Sequence, residues 1–364
     1  MKCSYCFYHD EAKKRKIGNY GIMSDKTMEQ IIIKALDYAE ESCTFGFQGG
    51  EPTLAGLDYF RQFASLVEKY NKKKIAVQYC LQTNGLFYSG ISESRNPEAF
   101  SRDRNWIEFL KEKKFLVGIS LDGTKEFHDH YRLDQNNKGT FIRVTKTIQA
   151  MLKSGIEINV LTVLTKQSAA HVETIYRFLK KIGVRYQQYL PCLDPLEKER
   201  GEECYSLTPR RFANAEKQLF DLWFQDLIAN DYVYIRQFEN WVGILKGYAP
   251  EACAMYGRCT MQNVIEANGD VFPCDFYVLD AYKMGNINEE NFTQLYEKIT
   301  KHPFFEDAEK RDERCSDCHW YPLCRGGCRR DCDIGDKQGC YNYYCEAYQE
   351  IFTSIIERLE YLAC

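Results

Sequence analysis

Gln48-Gly49-Gly50-Glu51-Pro52 ends a short apolar run, Cys43 to Phe47, and leads into an amphipathic segment. Glycine accepts backbone angles that other residues resist, and proline suits the first turn of a helix, so these five residues read as a tight strand-to-helix turn. Alone they say no more. Their setting makes them decisive, because the flanking chain repeats one pattern. Ahead of them Ser24 can cap a helix that carries Met28, Ile31, Ile32 and Leu36 on one face. Behind them a helix from about Asp58 to Tyr70 precedes a strand, Ile75 to Leu81, that stops at Gln82-Thr83-Asn84-Gly85. Trp106 to Lys113 reads as helix and Phe115 to Ser120 as strand, ending at Leu121-Asp122-Gly123. Phe141 to Ser154 (helix), Ile156 to Leu164 (strand), Ala169 to Ile182 (helix) and Val184 to Leu190 (strand) continue the series. Alternation of this kind predicts a parallel sheet. With about five β/α units and polar residues at the strand ends, a full or partial barrel with its site at the C-terminal rim is expected, with an open doubly wound sheet as the alternative.

The chain has 364 residues, 45% of them apolar and 14% aromatic, which predicts two or three domains with ample cores. A net charge of −4 gives no general pull toward nucleic acid, and the basic runs at Lys13–Lys16 and Lys72–Lys74 read as solvated faces. No apolar run approaches a membrane span. Neither His-Glu-x-x-His nor Gly-x-x-x-x-Gly-Lys occurs, so hydrolytic zinc and P-loop chemistry have no signature. Thr208 and Pro209 open a long helix, and beyond about Val233 the alternation stops, which places a domain boundary there.

Past that boundary, ten of the seventeen cysteines fall between Cys253 and Cys345, with Cys315-x2-Cys318-x5-Cys324-x3-Cys328 as the tight centre. A second signal, Cys3-Ser4-Tyr5-Cys6-Phe7-Tyr8, opens the chain. Soft thiolates at these spacings point to zinc or iron–sulfur clusters. Disulfides are disfavoured because the chain opens Met-Lys-Cys with no apolar signal segment, and so many cysteines without one point to a reducing cytosol. Spacing alone leaves a zinc ribbon on four of the thiolates open beside iron.

Taken together, several stretches resemble the radical S-adenosylmethionine (AdoMet) enzymes with a C-terminal SPASM domain, and most closely the anaerobic sulfatase-maturating enzymes. They are Cys3-Ser4-Tyr5-Cys6-Phe7-Tyr8-His9, Phe47 to Leu57 around Gly49-Gly50-Glu51-Pro52, Leu81-Gln82-Thr83-Asn84-Gly85, Cys192-Leu193-Asp194-Pro195-Leu196, Pro273-Cys274-Asp275-Phe276-Tyr277 and Cys324-Arg325-Gly326-Gly327-Cys328-Arg329-Arg330. The resemblance implies a partial (β/α)6 TIM-like barrel over residues 1–233. A small cysteine-rich SPASM domain with a C-terminal helix would follow over 234–364.

It also implies AdoMet and three [4Fe-4S] clusters. In the family pattern the first cluster is held by Cys-x3-Cys-x2-Cys. Cys3 and Cys6 match the second and third ligands, and the first lies four residues ahead of Cys3, so Met1 is expected to be internal to a longer reading frame. Cys253, Cys259, Cys274 and Cys328 would hold one auxiliary cluster, and Cys315, Cys318, Cys324 and Cys345 the other. Cys43, Cys80, Cys192, Cys204, Cys332, Cys340 and Cys364 are left as plain thiols. Gly49, Gly50 and Glu51 would receive the AdoMet amino group and Ser120 and Arg132 its carboxylate, with a strand end and a surface charge as the ordinary readings of the last two. Asp275 would be the catalytic base, and Tyr8 and Gln48 would line the substrate pocket.

The implied activity converts a Cys or Ser side chain of an unfolded sulfatase to Cα-formylglycine in the cytoplasm. A low-potential donor such as ferredoxin or flavodoxin would supply electrons. The alternatives are another SPASM maturase that crosslinks a peptide, and a non-catalytic metal-binding scaffold.

Overall fold

The computed structural model describes residues 1–90, 95–309, 312–332 and 341–364. In chain order the main elements are β1 (Lys2–Cys3), α1 (Phe7–Lys14), α2 (Asp25–Tyr38), β2 (Ser42–Phe47), α3 (Leu57–Tyr70), β3 (Ala76–Thr83), α4 (Pro97–Glu112), β4 (Leu116–Ser120) and α5 (Lys125–Tyr131). They continue with β5 (Arg132–Leu133), α6 (Phe141–Lys153), β6 (Ile158–Leu164), α7 (Val172–Lys181), β7 (Tyr186–Pro191), α8 (Pro209–Ile228), β8 (Tyr234–Ile235) and α9 (Arg236–Leu245).

Six strands form one parallel sheet in the order β2-β3-β4-β6-β7-β8. The order follows the chain without reversal, so the sheet is the curved array of a partial barrel and not a doubly wound one. All strands point one way, and their C-terminal ends therefore share one rim. The outer helices obey the expected period: α3 buries Phe60, Phe63, Ala64 and Val67, and α7 buries Val172, Ile175, Tyr176 and Leu179. Ser24 caps α2 by accepting Thr27 N at 3.2 Å.

Three differences from the sequence reading have local causes. α4 starts at Pro97, well before Trp106. Its first turns are polar, but Asn96 accepts Ala99 N at 3.0 Å and Asp103 is buried where it takes the main-chain N–H of Ser89 and Gly90, both at about 3 Å. α1 and α5 are short helices that carry no clear apolar stripe of their own. β8 lies just past the boundary expected at residue 233, so the sheet runs one strand into the segment that composition assigns to the second domain.

Beyond α9, β9 (Val264–Ile265), β10 (Asp270–Phe272) and β11 (Gly285–Asn286) make a small antiparallel sheet. The C-terminal helix Cys345–Ala363 returns to the barrel, burying Ala347, Ile351, Phe352, Ile355 and Leu359 against α8 and α9. Phe352 meets Trp241 edge-on with ring centroids 5.1 Å apart. One continuous apolar core therefore runs through both regions. Among the described residues no helix is long and apolar enough to cross a membrane.

Glu216 of α8 is buried in this core at 1% exposure, with Gln237 Nε2 at 3.3 Å from both carboxylate oxygens. Burial pushes its carboxyl up to about 8. The folded state therefore holds a proton that the unfolded chain releases above about 4.5, and stability must fall as pH rises from there to about 8. Glu216→Gln removes that slope. Thermal unfolding from pH 5 to 8.5 should show the variant gaining on the parent as pH rises, and a gap that does not widen would contradict this account.

Candidate functional site

The rim is organised by the turn after β2. Glu51 accepts from Thr53 N at 3.1 Å and Thr53 Oγ1 at 2.6 Å, and from Thr83 Oγ1 and Asn84 N, both at 2.7 Å. Its carboxylate thus locks the ends of β2 and β3 together, and what the turn offers outward is main chain. Gly49 and Gly50 have φ of +84° and +45°, where side chains are strained, and no atom lies within 4 Å of a Cβ built at Gly50. Ser120, at the end of β4, accepts Gln82 Nε2 at 3.2 Å. Gly118 leaves the space through which Gln82 reaches it.

Across the rim, β1 pairs antiparallel with β5, and Cys3 stands opposite Arg132. Arg132 is buried, which sets aside the surface-charge reading. Its Nε and Nη2 donate to Asp122 at 2.8 and 3.1 Å, and its Nη1 lies 3.8 Å from Cys3 Sγ. Asp122, at 1% exposure, also accepts Tyr5 Oη and, at 3.1 Å, Val163 N. Burial alone would raise the Asp122 carboxyl, but the Arg132 charge and hydrogen bonds outweigh it and hold the group below its ordinary value.

The second region supplies the rest. Cys253, Cys259, Cys274 and Cys328 line one cavity of about 100 Å³ together with Asp275. Cys315, Cys318, Cys324 and Cys345 form a separate set. Burial raises the Cys324 thiol to about 12, and the neighbouring charges of Cys345, Cys315 and Cys318 add to the effect. Among the described residues no three His, Cys, Asp or Glu side chains close on a single ion, so both sets are gathered without converging on one point. Two sets of four thiols, one of them walling a cavity, fit closed four-thiolate clusters. Cys332, expected as a plain thiol, is disulfide-bonded, and Cys340 lies outside the described residues. Cys43, Cys80, Cys192, Cys204 and Cys364 are free.

α1 carries the first region into the second. Phe7 packs on Phe276 with ring centroids 4.8 Å apart. Gln48 Nε2 donates to Tyr8 Oη at 2.6 Å and to Asp275 Oδ2 at 2.7 Å. Asp275 Oδ1 is 3.6 Å from Cys274 Sγ, and burial raises its carboxyl. Tyr8, Gln48 and Asp275 therefore meet at the edge of the thiol-lined cavity. Two acidic residues here had escaped the sequence reading. Asp122 was visible only as a strand end. Glu11 follows Tyr8 by three positions on α1, is 3% exposed, and has an Oε1 without a hydrogen-bond partner. Burial and the nearby Asp275 charge push its carboxyl up to about 9.

A parallel partial barrel whose Cys-x2-Cys segment sits at the strand rim, joined to a region with two four-thiol sets, defines a radical-forming iron–sulfur enzyme class. Residues 1–179 match the radical SAM superfamily and residues 253–319 an iron–sulfur cluster-binding domain, SPASM. The chain is 43% identical to the cysteine-type anaerobic sulfatase-maturating enzyme of Clostridium novyi, over all of this chain and 94% of that one. It is 39% identical to the enzyme of the same name from Clostridium perfringens (99% and 94% covered), and 26% identical to a serine-type enzyme from Bacteroides thetaiotaomicron (100% and 88%). The solved structure of native anSMEcpe with bound AdoMet and the Kp18Cys peptide superposes with a TM-score of 0.90 at 40% identity, covering 100% and 95%. Streptococcus suis SuiB, at 18% identity and a TM-score of 0.57, shares the fold alone (95% and 74%). The chain belongs to the anaerobic sulfatase-maturating enzymes, a radical SAM family with a SPASM domain.

Removing one partner of a buried ion pair costs about 3–5 kcal/mol. Asp122→Ala should lower the unfolding free energy by about that much and free the Arg132 guanidinium beside Cys3. Denaturant unfolding checks this, and a loss below about 1 kcal/mol would show that the pair is solvated.

Proposed function

We propose that this enzyme oxidises a cysteine side chain of an unfolded sulfatase to Cα-formylglycine. The observation that carries the reading is the Tyr8–Gln48–Asp275 contact at the edge of the cavity lined by Cys253, Cys259, Cys274 and Cys328. When bound, AdoMet and its cluster supply a carbon radical that removes one hydrogen atom, and the auxiliary clusters supply an electron path out. Cys3 and Cys6, with one further cysteine, would hold the first cluster. Gly49, Gly50 and the Glu51 main chain would receive the AdoMet amino group, and Ser120 and Arg132 its carboxylate. Cys253, Cys259, Cys274 and Cys328 would hold one auxiliary cluster, and Cys315, Cys318, Cys324 and Cys345 the other.

This chain's own residues then divide the work. Tyr8 and Gln48 orient the peptide's thiol against Asp275. Once one hydrogen atom has left its β-carbon, the side chain's thiol proton passes to Asp275 Oδ2; the cluster that Cys253, Cys259, Cys274 and Cys328 would hold would supply the acceptor for the one electron that must leave with it, and the side chain is then a thioaldehyde. Water then replaces the sulfur as hydrogen sulfide and leaves the aldehyde. A carboxylate suits the step because its burial raises its affinity for the proton it must take. Residues 1–233 would carry the hydrogen-abstracting half and 234–364 the half that accepts the electron and proton. Cysteine is favoured over serine because the relatives named for cysteine are 39–43% identical and those named for serine 24–26%. A low-potential carrier such as ferredoxin or flavodoxin would reduce the first cluster in the cytoplasm.

Asp275→Asn keeps the shape of the site and removes the base. Incubated anaerobically with AdoMet, reductant and a cysteine-containing sulfatase peptide, the variant should still form 5′-deoxyadenosine while the aldehyde falls at least about 10²-fold. Mass spectrometry of the peptide reads the exchange of sulfur for oxygen with loss of two hydrogens. An aldehyde yield equal to the parent's would remove Asp275 from the base role.

A further inference from the structure

Arg329 directly follows the thiol residue Cys328 and lines the same cavity. Its guanidinium stands 4.7 Å from the ring centre of Phe304, 5.0 Å from Tyr277 and 5.3 Å from Tyr282. It also donates to the Phe304 carbonyl and, from Nη2 at 3.2 Å, to Tyr282 Oη. One guanidinium thus faces three aromatic rings within cation–π distance. Phe304 and Tyr277 are fully buried, so two walls of the cage exclude water. Arg329 itself is half-buried, so its charge is held in place and is screened less than that of a fully exposed arginine. Arg258, the other cation in the cavity wall, is exposed.

The potential of an iron–sulfur cluster is set by net charge, hydrogen bonds to its sulfurs and solvent exposure. A fixed, half-buried cation in the cavity wall favours the more negative, reduced form. We propose that Arg329, held by Tyr277, Tyr282 and Phe304, is the positioning residue that makes the cluster on Cys253, Cys259, Cys274 and Cys328 a better electron acceptor than its four thiolates and the Asp275 carboxylate would leave it. The role in the reaction rests on the proposed function, in which the substrate gives this cluster one electron as its proton passes to Asp275. The electrostatic effect on the cluster does not depend on that reading.

The test is the midpoint potential of this cluster, read by electron paramagnetic resonance at set potentials in the anaerobically reconstituted full chain. Arg329→Gln should move it to lower potential by about tenfold in the reduction equilibrium, about 59 mV for one electron. The signal of the Cys315, Cys318, Cys324 and Cys345 cluster should stay in place. Arg329→Lys keeps the charge and should remain near the parent, and Arg258→Gln should shift less than Arg329→Gln. Tyr282→Leu opens the cage without touching the cavity wall and gives a smaller shift in the same direction, which keeps the idea testable if Arg329→Gln fails to load iron. An unchanged potential in loaded Arg329→Gln or in Tyr282→Leu overturns the proposal, as does a lysine variant displaced as far as the glutamine one. If the potentials move as stated while the parent makes no formylglycine, the inference stands and the proposed function fails.

Discussion

The site exists only because two parts of the chain 227 residues apart are held together, and one amide marks the junction: Gln48 at the end of β2 donates to Asp275 in the turn after Cys274. A bond between an exposed side chain and a half-buried one contributes about 0.5–1.5 kcal/mol and cannot dock a domain. Other contacts make it possible. Arg15 reaches Glu266 at 3.2 Å and lies over Phe272, Lys16 N donates to Asp280 at 2.9 Å, and Lys34 donates to the Ile287 carbonyl at 2.6 Å. Tyr38 stacks on Tyr296 with ring centroids 5.3 Å apart. The second region is thus fastened along α1, the following loop and α2, and Gln48 reads out a placement that these contacts have set. Loop-closure entropy rises only slowly with length, so joining distant segments costs little more than joining near ones.

The buried charges on the two sides of the site are handled differently. Asp122 and Arg132 neutralise each other with two hydrogen bonds, and Tyr5 and Val163 take up remaining acceptor capacity, which is the condition for a buried pair to be tolerated. Among the described residues neither Asp275 nor Glu11 has an ion-pair partner of this kind. Their carboxyl groups are raised by burial and, for Glu11, by the like charge nearby. The first arrangement is suited to rigidity around Cys3, and the second to taking up a proton. Each carboxylate's chemistry follows from what surrounds it.

The sheet was legible because alternation and period are local properties of the chain. Five strands and most helices lie within a few residues of where apolar spacing put them. β8 was not, since two residues carry no period, and neither was the pairing of β1 with β5. That pairing brings Cys3 to Arg132 and is the reason a residue that looks like a surface charge is buried. The cysteines were legible as metal chemistry from their spacing, and their division into two sets only through the family resemblance, because no local period says how Cys253 and Cys259 come to line one cavity with Cys274 and Cys328. Glu11 went unseen for a related reason: α1 is a short helix without an apolar stripe, so nothing marked Glu11 as sharing a face with Tyr8.

The layout also explains why the proposed base sits next to a cluster cysteine. Oxidation of a carbon–heteroatom bond after loss of one hydrogen atom requires a proton and an electron to leave the same small group of atoms. If the two acceptors lay far apart, charge would build up on the substrate in a poorly solvating site, which is costly. Here the Asp275 carboxylate and the Cys274 sulfur are 3.6 Å apart, on consecutive residues, and the short helical turn Asp275–Tyr277 fixes their directions. In the proposed reaction one tight turn would receive both particles, and the same cavity carries the cation of Arg329, packed on Tyr277 of that turn. Under the proposed reaction Cys274-Asp275 would serve both particles on consecutive residues, with Phe276 packed on α1 and Tyr277 forming part of the arginine cage.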